Sequence, residues 1–88
     1  MKYNPCQKDI VYYIIEYSEN PIGKLTPCPD VFGHIFQEKY TNLEIEENIG
    51  VLVSRGVLKP YSFHSYLDLT ETFKTSLDYK LFRERKID

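Results

Sequence analysis

Apolar residues recur along this chain in two different periods. Ile10, Ile14 and Tyr17 repeat at helical spacing with Val11 and Ile15 beside them, which predicts a first helix from Pro5 or Cys6 to about Ser18. Tyr12 and Tyr13 fall on its margins. Pro21 stops it, because proline disfavours a helical residue before it and has no amide proton to give. Residues 22–25 then read as a loop or a short strand. A turn over residues 26–30, with Pro27 or Pro29 in its first helical turn, launches a second helix. Its face is Val31, Phe32, Ile35 and Phe36, continued by Tyr40.

The segment 45–77 carries the clearest pattern. Ile45, Ile49, Leu52 and Val53 make the buried stripe of a third helix, begun at Thr41 or Asn42. Thr41 and Glu44 have the spacing of a capping box. Arg55 suits the negative helix end, and Gly56 supplies the left-handed residue that closes it. Val57 and Leu58 follow as a short strand, residues 61–65 as a loop, and Tyr66-Leu67-Asp68-Leu69-Thr70 as a strand alternating with period two. Thr70 then caps a last helix with the stripe Phe73, Leu77 and Leu81 and a basic end near residues 83–86.

Leu52-Val53-Ser54-Arg55-Gly56-Val57-Leu58, followed by Tyr66-Leu67-Asp68-Leu69-Thr70-Glu71, resembles the winged helix-turn-helix superfamily, and the PadR-like and MarR-like small regulators in particular. The resemblance implies an α+β fold, with a three-helix core, a small antiparallel β wing and a C-terminal helix, as a single domain over residues 1–88. It implies a DNA-binding transcriptional regulator, of the kind carried by viruses and mobile elements, whose third helix enters the major groove of double-stranded DNA. By position, its DNA-binding residues are Thr41, Asn42, Glu44 and Asn48 on that helix, Arg55 at its end, and Lys59 and His64 on the wing.

Charge complicates that picture. Eleven basic and thirteen acidic side chains leave a formal net charge of -2 over 88 residues, so nothing global draws the chain to nucleic acid. Asp30, Glu38, Glu44, Glu46 and Glu47 crowd the region that should read bases, where phosphates repel carboxylates. The basic residues lie elsewhere, chiefly Lys74, Lys80, Arg83, Arg85 and Lys86. The alternative expectation is therefore a winged-helix protein-interaction module, an inhibitor or adaptor that binds no DNA. Eight tyrosines and five phenylalanines supply its anchors: Tyr12, Tyr13, Tyr61, Phe63, Tyr66, Tyr79 and Phe82. A homodimer through the first and last helices is compatible with either reading.

Other chemistry is thin. Cys6, Cys28, His34 and His64 lack the close paired spacing of a zinc site, so no metal is expected. No phosphate-cradling glycine loop and no organised nucleophile-base motif occurs, so neither cofactor nor catalytic residue is expected. The start of the chain lacks an apolar leader and no run approaches a membrane span, which suggests a cytoplasmic protein with two reduced thiols.

Overall fold

The computed structural model describes residues 2–60 and 66–87. Helix α1 (Pro5–Glu19) opens on a reciprocal cap. Asn4 Oδ1 accepts from the Gln7 amide at 2.8 Å, and Gln7 Oε1 accepts from the Asn4 amide at 3.2 Å. Pro5 takes the first helical position, where its missing proton costs nothing. Ile10, Val11, Ile14 and Ile15 face the core.

A 3-10 turn (Pro29–Val31) leads into α2 (Phe32–Ile35), a single turn long. The expected continuation to Tyr40 is broken at Gln37 and Glu38, which hold left-handed backbones with φ of 52° and 61°. Glu38 N–H bonds the Gly33 carbonyl and Gln37 N–H the His34 carbonyl, the double closure of a Schellman end. Each left-handed residue costs about 1–2 kcal/mol. Phe36 stacks on Phe32 one helical turn earlier, centroids 5.2 Å apart, and the reversal offsets part of the cost by setting Tyr40 edge-on to Phe36 at 5.7 Å. Such ring pairs contribute about 0.5–1.5 kcal/mol each beyond their buried area.

Helix α3 (Asn42–Ser54) forms where its periodicity puts it. Thr41 and Glu44 make the capping box, and Ile45, Ile49 and Leu52 are buried. Gly56, with φ 77°, closes the helix by a second Schellman end: Val57 N–H reaches the Leu52 carbonyl and Gly56 N–H that of Val53.

The wing is where the fold departs from expectation. Among the described residues there is no β-strand; antiparallel pairing stops at one isolated bridge, Leu58 to Leu69. Lys59 N–H bonds Asp68 O and Thr70 N–H bonds Val57 O, both at 3.0 Å. The ladder then fails for a local reason. The Val57 amide, which a longer ladder would send across to Thr70, closes α3 on the Leu52 carbonyl instead, and the Leu67 amide, on the outer edge of the pair, bonds the Pro27 carbonyl at 2.8 Å. Residues 22–25 form no strand either, because Gly23 at φ 78° turns them. The tip expected at residues 61–65 lies outside the described residues. Over the described residues the domain is thus all-helical rather than α+β, and the winged-helix assignment does not hold.

The last helix is two. Thr70 caps α4 (Glu71–Lys74) and Ser76 caps α5 (Leu77–Arg83). Ser76 Oγ donates to the Phe73 carbonyl at 2.6 Å and accepts from the Tyr79 amide, so its side chain takes over bonds that a continuous helix would have made. The break rotates the buried face. Leu77 is 67% exposed, while Phe82 is 1% exposed.

Phe82 is the hub of the core. Tyr3 and Tyr12 meet it edge-on at 5.1 Å and Phe73 at 6.1 Å. Helix α1 packs against both α3 and α5, which do not pack against each other, so α1 is the middle layer. No helix among the described residues is long and apolar enough to cross a membrane. Phe82→Ala should lower unfolding stability by about 3–5 kcal/mol, read as a shifted urea midpoint. Leu77→Ala, on the exposed side, should change it by about 0.5 kcal/mol or less.

Candidate functional site

The expected groove-reading residues are largely engaged inside the molecule. Asn48 turns toward α1, its Oδ1 accepting from Asn4 Nδ2 at 2.9 Å and Gln7 Nε2 at 3.0 Å, while its own amide donates to the Glu44 carbonyl. Thr41 and Glu44 cap each other. Arg55 donates to the Lys2 carbonyl at 2.8 Å and lies 4.2 Å over the Tyr3 ring. Lys59 pairs with Asp68 at 3.3 Å. Asn42 is exposed at the start of α3, its side chain close to Gly33. His64 lies outside the described residues. Without a β ribbon, the expectation of double-stranded DNA as partner and the regulator role are both withdrawn.

The ring set is scattered too. Tyr13 donates to the Leu25 carbonyl, Tyr79 packs edge-on to Phe73 at 5.8 Å, and Phe82 is interior. Tyr66 is half-exposed and tilted against Tyr17. Tyr61 and Phe63 lie outside the described residues. The interaction module was tied to the winged-helix frame, and it goes with it.

Instead, the structure opens a groove of about 550 Å³ between α1 and the α4–α5 segment. Tyr12, Ile15, Tyr79 and Phe82 line it with apolar surface. Lys74, Lys80, Arg83 and Arg85 bring four cationic side chains against three anionic ones, Glu16, Glu19 and Glu84. Arg83 Nε pairs with Glu19 at 2.9 Å, and Arg85 pairs with Glu16. The two glutamates are three residues apart on α1, so the guanidinium groups stand side by side on one helix face. Lys80 is exposed.

Arg85 occupies an unusual place. Helix α5 ends as α3 does, with Lys86 N–H on the Leu81 carbonyl and Arg85 N–H on that of Phe82. At α3 the left-handed position is Gly56; at α5 it is Arg85, with φ 58°. A side-chain-bearing residue there costs about 1–2 kcal/mol. Its guanidinium lies 4.2 Å over the Tyr12 ring, a contact worth about 0.5–1 kcal/mol at an exposed site.

Sequence reasoning noted Arg83 and Arg85 only as a basic tail and did not single out Glu16 and Glu19. One signal was available: two glutamates in the last turn of α1, facing the negative end of its dipole, call for cations from elsewhere. No protein-family model, curated protein or solved structure matches the chain.

Two buried acids outside the groove respond to alkali. Burial, then the Glu44 and Asp9 carboxylates, push the Cys6 thiol from 9.0 to about 11, against a hydrogen bond from Asn48. Burial and the bond to Asp78 push the Tyr3 phenol from 10.0 to about 12. Burial opposes the Asp78 charge, yet donations from Lys2 and Tyr3 hold its carboxyl below the usual range. Cys6 and Tyr3 are both held neutral by folding. The stability they contribute is complete below the unfolded values and is lost as pH rises through the folded ones. The urea midpoint should therefore fall between pH 9 and pH 12. In Cys6→Ala the part of the fall between pH 9 and 11 should flatten.

Proposed function

We propose that this chain is a non-catalytic binding module whose α1–α5 groove takes a small anion carrying an aromatic ring. The observation that carries the reading is Arg85, which holds a backbone position suited to glycine and presents its guanidinium over Tyr12 in the groove wall. Strained positions of this kind persist where the surroundings hold them, and they cluster at ligand clamps. The volume falls within the range of small-molecule sites, and an apolar lining with a few placed charges is their usual character.

The non-catalytic part rests on where the nucleophile types sit. Ser76 Oγ caps α5, Thr70 Oγ1 donates to the Gly56 carbonyl, and the Cys6 thiol is buried with its ionisation suppressed. None lines the groove with a base beside it. Two free thiols, Cys6 and Cys28, favour a reducing, cytoplasmic setting.

Titration with phenyl phosphate, followed by amide chemical shifts, tests the site. Shifts should concentrate on residues 12–19 and 74–85. In Arg85→Gly the relieved backbone strain and the lost stacking and ion pair nearly cancel, so stability should stay within about 1 kcal/mol. Affinity should nevertheless fall about tenfold or more, because a charge-assisted bond is worth about 1.5–3 kcal/mol. Unmoved groove amides, or equal affinity in the variant, would overturn the assignment.

A further inference from the structure

The two ion pairs that cross the groove set what can enter it. In the protein as folded, Glu16 and Glu19 already occupy Arg85 and Arg83, both pairs about half exposed. These carboxylates sit in the last turn of α1, where the helix dipole disfavours negative charge and no basic residue of α1 answers them. An arriving anion must take the guanidinium groups away from them. Resting on the groove reading above, we infer that Glu16 and Glu19 are built-in competitors for the site, an autoinhibitory contact that selects aryl phosphate dianions over aryl carboxylates.

The selection follows from what is exchanged. A carboxylate ligand replaces one carboxylate on arginine with another of equal charge and the same two acceptors, and leaves a glutamate unpaired beside a helix C-terminus. Its gain is confined to the ring contact with Tyr12 and Tyr79. A phosphate monoester carries about -1.5 to -2 at neutral pH with three acceptor oxygens. It can bridge both guanidinium groups, held on carboxylates one helical turn apart, and draw in Lys80 from the same wall. Bridging frees both glutamates, so the net gain over a carboxylate is the contact with Lys80, the groove cation that no carboxylate among the described residues pairs with. The ring matters as well, since inorganic phosphate would leave the aromatic floor uncovered.

The test compares phenyl phosphate, benzoate and inorganic phosphate by calorimetry at fixed ionic strength, on the native chain and on Glu16→Gln/Glu19→Gln. Exposed ion pairs contribute about 0–1 kcal/mol each, and removing charge from the end of α1 offsets part of that, so the double variant should fold; the two single variants serve if it does not. On the native chain, phenyl phosphate should bind about tenfold or more tighter than either benzoate or inorganic phosphate. In the double variant both aryl ligands should tighten, benzoate by more, so that the gap between them narrows. Equal binding of the aryl ligands to the native chain, or a gap unchanged by the double substitution, overturns the competition. Inorganic phosphate matching phenyl phosphate overturns the ring requirement. If no ligand binds either protein, the groove itself is not a site and the inference falls with it.

Discussion

The fold depends on one ring being enclosed from three sides. Phe82 receives Tyr3 from the N-terminal segment, Tyr12 from α1 and Phe73 from α4, all edge-on. Edge-to-face pairs are directional, so each contact fixes an angle as well as a distance. Phe82 can take this place only because the chain breaks at Ser76 and re-enters a helix at a new rotation. The same rotation carries Arg83 and Arg85 to the α1 side, where Glu19 and Glu16 meet them. Core packing and groove chemistry are two faces of one helix turn.

The N-terminal segment is held by the same economy of contacts. Tyr3 buries its ring against Phe82, sends its hydroxyl to Asp78 at 2.7 Å, and lies under the Arg55 guanidinium. Lys2 adds an ion pair to Asp78 at 2.8 Å. Arg55 and Asp78 thus meet across the Tyr3 side chain, and the end of α3 is linked to α5 without direct packing between those helices.

Much of the helical framework was legible in the sequence. The Thr41–Glu44 box, the stripe through Ile45, Ile49 and Leu52, and the stop at Gly56 are local signals, and the structure holds all three. What local signals could not specify was the partner of an exposed amide. The alternation over residues 66–70 correctly points Leu67 and Leu69 inward, both nearly fully buried. It cannot say that the Val57 amide turns back to Leu52 rather than across to Thr70, or that the outward Leu67 amide bonds Pro27, so that a single bridge forms among the described residues. Periodicity also treats a helix as continuous until glycine or proline intervenes. Here Ser76 broke one helix through its hydroxyl, and the pair Gln37 and Glu38 ended another in conformations that neither residue prefers. The groove was hidden for the same reason, because it joins residues about 69 positions apart and its key backbone angle belongs to an arginine.

The arrangement of layers has an electrical consequence. Asp30, Glu38, Glu44, Glu46 and Glu47 are all exposed on the α2–α3 side, while Lys74, Lys80, Arg83, Arg85 and Lys86 are exposed on the other side of α1. The five cations are matched where they stand by Glu16, Glu19, Glu71, Asp78 and Glu84, whereas the five acids of the α2–α3 side face Lys39 alone among the residues of that stretch, so the excess negative charge is concentrated there. A positively charged bead or sensor chip should therefore draw the α2–α3 side first and leave the groove toward the liquid.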